Sequence, residues 1–406
     1  KQIQPVRYLP HTAEPFLRYS AYANKSSKKI YDVVERPNEV IDVIPYYTDN
    51  GKLKILAKHG YPRPLANVRT SSAILDGKYL SGYITEGITM AVTDDLKNTL
   101  DKRFGIVAEN YTEPLNALNY FTSPGGINEK VQSVYVELKE KPEQSVVLKS
   151  GFSGFADSGY IHSYDAEQLL NTAQTGALVE ARLELNVYNL FFKNNLPLPK
   201  WLGEDINVKF YNGLPTTDLS DLLCVKMKDY VPSDKTAGFL RTERACFAES
   251  GVNNSSSILE YVYPRNLSSN TLLTVPLFRK EGKIYIGLEV RSLPVPQLHT
   301  GNSTILTVPA ERLPKDVDGL YKLNRHISQM RIGEAKVERY FKLGEKYSPS
   351  IGTTTEQVYP YVVCLSSAVK ELEWVCIDDL YATFDKLNDA HLLICLARLQ
   401  HALNVD

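Results

Sequence analysis

Apolar and polar residues alternate along several short segments of the chain, which is the pattern of strands in a half-buried sheet. Two pairs of such segments are separated by short turn sequences: 39–47 and 52–59 by Asp49-Asn50-Gly51, and 271–278 and 283–290 by Glu281-Gly282. Turn residues of this kind between runs rich in Val and Ile favour a tight reversal of the chain. The sequence therefore predicts two β-hairpins.

Three other segments have the spacing of amphipathic helices. The first follows the capping residues 93–95, carries Leu96 and Leu100 on one face and ends at Gly105. The other two are 166–192, which is interrupted at Gly176, and 377–403. Each is expected to pack its apolar face against a sheet, so the pattern predicts an α/β fold.

The same order of segments occurs twice along the chain. Residues 26–37, 45–64, 120–138 and 178–190 are similar, in this order, to 255–265, 276–296, 346–365 and 387–399. Such self-similarity is the signature of a tandem duplication. We expect a first domain at 1–203, a connecting segment at 204–238 and a second domain at 239–406.

The composition narrows the class of protein. Of 406 residues 43% are hydrophobic and 23% are charged, and the net charge of −1 argues against a general nucleic-acid binder or a binder of anionic membranes. No apolar run approaches the roughly 18 residues of a membrane-spanning helix. The five cysteines form no C-x-x-C pair, which favours a reducing compartment. We expect a cytoplasmic protein, or a component of a virus particle if natural processing produced the start at Lys1.

The order of elements resembles that of the Nudix hydrolase superfamily, in its ADP-ribose pyrophosphatase-like branch. The segments that carry the resemblance are "YDVVERPNEVIDVIPYYTDNGKLKILAKHGYPRP", "YFTSPGGINEKVQSVYVEL" and "TAQTGALVEARL". The resemblance covers about residues 15–200 and, more faintly, 240–406. It implies two Nudix-like α/β/α sandwich domains in tandem.

The resemblance also implies a catalytic helix with the consensus G-x5-E-x7-R-E-U-x-E-E-x-G-U, whose glutamates bind Mg²⁺. In the first copy this box lies around 87–106. Anchored on Gly105, it has Asn98 at the arginine position and Thr99, Lys102 and Arg103 at glutamate positions. Cations in place of carboxylates repel a divalent ion, so we expect no metal site of the family's kind here.

The second copy of the box lies around 311–334 and is anchored on Gly333. Between Asp318 and Glu334 it contains no acidic residue. Both boxes are therefore degenerate, and the sequence predicts no metal site and no cofactor. Mg²⁺ is expected only if the chain is a divergent hydrolase.

Five residues remain as candidates for a site. Glu129 and Glu356 follow the two Ser-Pro loops, where the family can place a catalytic base. Without metal ligands nearby, the pattern favours the alternative, a turn residue that caps loop amides. Lys58, Arg63 and Arg291 lie where enzymes of the family present cations to a nucleotide diphosphate, although solvated charge at a strand end explains them as well.

Paired tyrosines also attract notice. Tyr261 with Tyr263, and Tyr359 with Tyr361, suit strand faces and also protein interfaces.

His326 and His391 lie in helical segments and have no metal ligand or triad partner at suitable spacing. This pattern predicts partly buried helix residues.

Three functions follow from these observations. The leading hypothesis is a non-catalytic structural or protein-interaction subunit, with a protein partner or self-association. The second is a binding module for ADP-ribose or a related nucleotide diphosphate. The third is a metal-dependent nucleoside-diphosphate hydrolase that uses carboxylates such as Asp94, Asp95, Glu129 and Glu356.

Overall fold

The computed structural model of the chain describes residues 3–6, 15–36, 39–63, 65, 72–79, 83–92, 95–142, 146–148, 159–249 and 256–403. In this part of the chain the fold is mixed α/β. Its helices are α1 (Leu96–Phe104), α2 (Ala166–Gln174), α3 (Ala181–Lys193), α4 (Leu219–Leu223), α5 (Pro294–Thr300), α6 (Leu320–Gln329), α7 (Ile377–Ala382) and α8 (Ala390–Leu403).

The strands up to the middle of the chain are β1 (Ile3–Val6), β2 (Arg18–Asn24), β3 (Ile30–Glu35), β4 (Val40–Asp49), β5 (Lys52–Pro62), β6 (Tyr83–Glu86), β7 (Ile88–Ala91), β8 (Leu115–Phe121), β9 (Ile127–Asn128), β10 (Lys130–Glu137), β11 (Val146–Leu148), β12 (Gly159–Asp165) and β13 (Tyr230–Pro232). The later strands are β14 (Leu240–Glu249), β15 (Ser256–Pro264), β16 (Asn270–Lys280), β17 (Lys283–Ser292), β18 (Thr304–Thr307), β19 (Ala310–Arg312), β20 (Arg331–Ile332), β21 (Ala335–Lys342), β22 (Gln357–Leu365) and β23 (Glu373–Cys376).

Two large sheets share one pairing pattern. The first sheet has the order β11-β12-β5-β4-β10-β8, and the second has the order β18-β17-β16-β22-β21-β20. In each, an antiparallel hairpin (β4–β5, β16–β17) lies beside a parallel strand (β10, β22), which pairs with an antiparallel neighbour (β8, β21). A short strand also pairs with each hairpin strand: β7 and β6 in the first sheet, β19 and β18 in the second.

Both hairpin turns form where the sequence predicts them. Asn50 and Gly51 have φ of 50° and 75°, and Glu281 and Gly282 have φ of 50° and 80°. Positive φ at both central residues is the conformation that matches the right-handed twist of the two strands. These turns fix the register of β4 with β5 and of β16 with β17.

Helices cover both faces of each sheet. We call the first sheet with α1, α2 and α3 the first unit, and the second sheet with α6, α7 and α8 the second unit. Helix α1 packs through Leu100 against an apolar cluster that includes Val43 and Ile88, whereas α2 and α3 pack on the side of Val40 and Ile44. In the second unit α6 likewise lies against one apolar cluster, and α7 and α8 lie against another.

Helices α3 and α8 join the two units. One continuous apolar core contains buried residues of α3, α8 and both sheets. Within it Arg398 of α8 makes a two-pronged ion pair with Glu184 of α3, with N–O distances of 2.7 and 2.8 Å, and both side chains are buried. Tyr188 of α3 also hydrogen-bonds to His401 of α8 at 2.9 Å. Each unit therefore completes the core of the other.

Each unit also sends a loop to the helix start of its partner. The Phe121 N–H donates to the carbonyl of Asn388 just before α8 (2.8 Å), and the Ser348 N–H donates to the carbonyl of Val179 just before α3 (2.7 Å). Both loops then turn, with Ser123 O accepting from the Gly126 N–H. The matching turn in the second unit runs from Ser350 to Thr353.

These bonds correct the match between the two Ser-Pro sequences. Phe121 is equivalent to Ser348, so Ser123 is equivalent to Ser350 and not to Ser348. Ser123 and Ser350 each stand six residues before the glutamates Glu129 and Glu356. The sequence similarity placed the loops two residues out of register because Ser-Pro occurs in both by coincidence of composition.

Two smaller hairpins complete the arrangement. Strands β2 and β3 belong to a sheet of order β13-β2-β3-β9, and β14 pairs with β1 on one side and with β15 on the other. The Val34 N–H donates to Gly126 O, and the Val262 N–H donates to Thr353 O, both at 2.9 Å. Each hairpin is thereby bound to the loop of its own half of the sequence.

Two helix ends differ from the sequence-based prediction. The segment 377–403 is divided into α7 and α8, because the Asp389 side chain accepts from the Leu392 N–H (2.7 Å) and begins a new helix. Helix α6 ends at Gln329, and Gly333, with φ of 54°, lies in the turn between β20 and β21. By contrast α1 ends at Gly105, in the left-handed conformation, as predicted.

No helix in the described part of the chain has the length and apolar character needed to cross a membrane.

The buried pair between α3 and α8 makes a direct prediction. We expect Arg398→Met to lower the free energy of unfolding by about 3–5 kcal/mol, because Glu184 would keep a buried charge without its partner. Urea denaturation measures the change. The matched control is Lys322→Met, which removes an exposed ion pair with Asp318 and should cost about 0.5 kcal/mol or less. Equal losses in the two variants would contradict the role given to Arg398.

Candidate functional site

A cluster of buried charges lies at the centre of the first unit. Its acids come from β4, β6, the start of β10 and the start of α3: Asp42, Glu86, Glu129 and Glu180. Its cations come from the end of β3, from β5 and from α3: Arg36, Lys58, Arg63 and Arg182. Burying so many charges is unfavourable unless each is paired, and here the numbers of acids and cations are equal.

Arg182 stands in the middle of this cluster. Its Nε lies 2.9 Å from Glu180 and 3.4 Å from Asp42, and its Nη1 lies 3.6 Å from Glu129. Its Nη2 donates to the Thr89 hydroxyl at 3.1 Å. One guanidinium therefore contacts three carboxylates that come from three separate parts of the sheet and helix layers.

Glu86 forms ion pairs with two of the three cations that the sequence suggests for nucleotide binding. Lys58 Nζ lies 3.1 Å from one carboxylate oxygen. Arg63 donates to the other oxygen through Nε (2.9 Å) and Nη2 (2.6 Å). Lys58 and Glu86 are buried, so a phosphate could reach these cations only by separating buried ion pairs.

Glu129 is engaged in the same way. It forms an ion pair with Arg36, and its second oxygen accepts from the Thr122 hydroxyl at 2.9 Å. Burial alone would raise the pKa of this carboxyl, but Arg36 and Arg182 outweigh burial and lower the pKa to about 2. Ser350 of the second unit contributes to the lowering.

Two other acids of the cluster have pKa shifts in the opposite direction. Burial, together with the negative charges of Asp42 and Glu86, raises the pKa of Glu180 to about 7 against the effect of Arg182. Burial also raises the pKa of Asp42. Glu180 still has a local structural role, because its side chain accepts from the Leu183 N–H (2.6 Å) and caps α3.

The second unit carries a related cluster around Glu356. The Glu356 carboxylate accepts hydrogen bonds from the Thr271 hydroxyl (2.7 Å) and from the Ser123 hydroxyl of the first unit (3.2 Å), and it forms an ion pair with Arg312 (3.0 Å). Burial tends to raise the pKa of Glu356, but Arg312 and the other contacts lower it. Glu356 therefore stays ionised in an ion pair, as Glu129 does.

A cavity of about 220 Å³ adjoins this second cluster. The turn 123–126 of the first unit and the hairpin β14–β15 form part of its wall. Its polar lining includes Arg291, Arg312, Glu356, Asp389 and His391. The cavity reaches the surface, since the Arg291 side chain is 40% exposed.

The structure thus divides the predicted site residues between the two units. Glu129 lies in one cluster with Lys58 and Arg63, and Glu356 lies with Arg291 at the cavity. Asp95 caps α1 by accepting from the Asn98 N–H, whereas Asp94 lies outside the described residues. In the described part of the chain no group of three His, Cys, Asp or Glu residues is arranged to hold a metal ion.

The paired tyrosines are residues of strand faces. Tyr261, Tyr359 and Tyr361 are buried within the chain itself, so they are not available to a partner. Tyr79 and Tyr321, which the sequence did not single out, are each 80% exposed.

Sequence reasoning missed the residues that organise both clusters. Arg182 and Glu180 read as ordinary helix residues, and so did Asp389. The signal was present in the repeat, because "LVEAR" and "LNDAH" place Glu180 opposite Asp389 and Arg182 opposite His391. Only the structure shows that these positions meet Glu129 and Glu356.

Comparison with known proteins gives no family assignment. No protein-family model matches the chain, and no curated protein matches it.

The lowered pKa of Glu129 predicts how stability depends on pH. An acid whose pKa falls from 4.5 to about 2 on folding contributes stability that is present above pH 4.5 and is lost as the pH falls toward 2. We expect Glu129→Gln to be less stable than the parent by about 3 kcal/mol at neutral pH, and the difference to shrink in acid.

Urea denaturation of both proteins between neutral pH and about pH 2.5 measures this difference. Glu113→Gln is the control, since its carboxylate is exposed in a surface pair with Lys97. A difference between parent and Glu129→Gln that stays constant with pH would refute the assignment.

Proposed function

We propose that this chain is a non-catalytic structural or protein-interaction subunit built from two Nudix-like α/β/α units in tandem. In this proposal the polar centre of the first unit serves stability and not turnover. The likeness of the two sheets in strand order and pairing supports a common origin of the units.

One observation carries the proposal. The four acids at the centre of the first unit are each at most 2% exposed. The hydrolases that the sequence resembles need carboxylates that can reach a solvated metal ion and a phosphate. Here Arg182 takes the position among the carboxylates that a cation would need, and it is covalently part of the chain. Arg182 thus pairs with three of the acids, and Lys58 and Arg63 pair with the fourth, without a ligand.

The joint between the units supports a structural role. The Glu184–Arg398 pair and the loops exchanged before α3 and α8 fix the two sheets relative to each other. A rigid body with two related surfaces is suited to assembly with other subunits.

Tyr79 and Tyr321 extend from two segments that are hydrogen-bonded to each other, because the Leu320 N–H donates to Leu75 O at 3.0 Å. Exposed aromatic residues are enriched at protein interfaces.

A second candidate function is binding of a nucleotide diphosphate such as ADP-ribose. It is favoured by Arg291, which lines the cavity and is partly exposed. The other two predicted cations, Lys58 and Arg63, are occupied by Glu86. One partly exposed arginine is a small set of contacts for a diphosphate, so this candidate ranks second.

The proposal predicts no turnover of nucleoside diphosphates. We expect no phosphate release from ADP-ribose, NAD, diadenosine polyphosphates or nucleotide sugars with Mg²⁺ or Mn²⁺, and no saturable rise in melting temperature. Glu129→Gln and Glu356→Gln should show the same background as the parent. A ligand that binds the folded protein and is present at 100 times its dissociation constant would raise the free energy of unfolding by about 2.7 kcal/mol, and a thermal scan resolves such a change.

The three functions give different results in this panel. Metal-dependent release that is lost in Glu129→Gln or Glu356→Gln would establish the hydrolase and contradict our proposal. A metal-independent thermal shift that disappears in Arg291→Ala would establish the nucleotide-binding module instead.

A further inference from the structure

The cavity of the second unit lies where the first unit has side chains of its own. Glu129 stands two residues before Val131, which pairs with Val40, and Glu356 stands two residues before Val358, which pairs with Thr271. Val40 and Thr271 each lie nine residues before the last residue of their hairpin strand, so Glu356 is equivalent to Glu129. Asp389 is equivalent to Glu180, because each caps its helix by accepting from the N–H three residues later. The carboxylates at the two positions are therefore retained.

The cations at the two positions are not retained. His391 is the second residue of α8, where Arg182 is the second residue of α3. Arg36 stands two residues after Val34, and Pro264 stands two residues after Val262. Because both valines donate the same backbone hydrogen bond to their loop, Pro264 is equivalent to Arg36.

The third cation is lost on the hairpin strand. Lys58 of β5 pairs across the sheet with Glu86 of β6. The equivalent residue of β17 is Glu289, which pairs across the sheet with Thr307 of β18. Three cations of the first unit are thus replaced by a proline, an imidazole and a carboxylate.

The charges around the cavity do not balance as they do in the first unit. Arg312 pairs with Glu356 at 3.0 Å, Arg291 lies 3.9 Å from Glu289, and Glu311 on the rim contacts His326 at 2.6 Å. In the described part of the chain no cation forms an ion pair with Asp389, which is 2% exposed.

Asp389 has only neutral hydrogen-bond donors. Its Oδ1 accepts from the Leu392 N–H (2.7 Å) and from the Thr307 hydroxyl (3.2 Å). A buried carboxylate without an ion-pair partner is unfavourable. Burial raises the pKa of Asp389, and the charges of His391 and Arg291 offset this rise only in part.

We propose that this cavity binds a small organic cation, whose amidinium, guanidinium or ammonium group pairs with Asp389 and takes the place that the Arg182 guanidinium has in the first unit. The ligand supplies the guanidinium-like charge that is lost where His391 replaces Arg182. This inference does not depend on whether the chain is a structural subunit.

The rest of the lining suits an apolar body attached to that charge. Ile127, Leu240, Val262 and Leu293 all face the cavity. Its volume of about 220 Å³ is that of a small molecule and not of a dinucleotide. An anion is disfavoured because both arginines of the lining already pair with carboxylates. Asp389 is the one buried acid among the described lining residues that forms no ion pair, although Arg291 and His391 act on it from a longer distance.

Three isosteric probes separate the possibilities. Benzamidine is a planar aromatic cation, benzamide is its neutral analogue and benzoate is the anion of the same shape. We expect benzamidine alone to raise the melting temperature saturably, by about 1–3 °C at ten times its dissociation constant. Equilibrium dialysis of benzamidine against the full-length protein gives the stoichiometry, which should be one.

Two substitutions locate the site. Asp389→Asn keeps a side chain able to cap α8 and should weaken benzamidine binding about tenfold or more. His391→Arg restores the residue of the first unit, and its own guanidinium should occupy the cavity and abolish binding. Asp218→Asn is the control, because Asp218 caps α4 and does not line the cavity.

Binding should also weaken in acid. Asp389 must lose its proton to pair with the ligand, and burial raises the pKa of this carboxyl above its usual value. We therefore expect the benzamidine dissociation constant to rise as the pH falls, and to begin rising at a higher pH than pairing with an exposed aspartate would.

Any of four results would overturn the proposal. Stabilisation by benzoate would identify an anion site at Arg291, and equal effects of all three probes would identify an apolar pocket. Undiminished binding in Asp389→Asn or His391→Arg would place the ligand elsewhere. Absence of any benzamidine binding to the parent protein would show that the cavity takes no such cation.

Discussion

Charges buried away from water have to be paired where they lie, and this constraint determines how the two halves of the chain are held together. Arg398 reaches from α8 into the core and finds its counter-ion, Glu184, only on α3. Arg182 contacts carboxylates that three separate segments bring to it. Removing any one of these segments would leave a charge without its partner, at a cost comparable with a large part of the stability of a domain. The ion pairs therefore tie strand register, helix position and contact between units to one another.

The two units show what happens when one arrangement of strands carries two sets of side chains. In the first unit an arginine, a lysine and a second arginine fill the space between the acids. In the second unit the equivalent residues are His391, Glu289 and Pro264, and a cavity remains. Because backbone hydrogen bonds set the positions of the strands, the sheet tolerates these exchanges. Its chemistry is therefore free to differ between the units while the pairing pattern stays the same.

Local features of the fold could be predicted from the sequence. The hairpin turns at Asn50-Gly51 and Glu281-Gly282 and the end of α1 at Gly105 depend on the conformation of one or two residues, which the residue type reveals. Positions that depend on distant contacts could not be predicted so well. The resemblance anchors the second box on Gly333, whereas α6 ends at Gln329 and Gly333 lies in the turn between β20 and β21. The Ser-Pro loops were matched two residues out of register, since only their hydrogen bonds to the helix starts fix their equivalence.

The candidate site was harder to predict than the fold. Glu129, Glu356, Lys58, Arg63 and Arg291 were identified from a resemblance, and the structure shows what each contacts. The sequence did not reveal that Glu86 binds Lys58 and Arg63, because β5 and β6 are joined by a long connection and meet only in the sheet. Nor did it reveal Arg182 as the centre of the first cluster. Ion-pair partners far apart in sequence are set by register across strands, which local patterns do not encode.

The central claim is that the buried pairs and exchanged loops make the two units a single cooperative body. Differential scanning calorimetry of the full-length protein tests it most directly. The account predicts one unfolding transition, with a calorimetric enthalpy equal to the van't Hoff enthalpy. Two resolved transitions, or a calorimetric enthalpy well above the van't Hoff value, would show that the units unfold independently and would contradict the account.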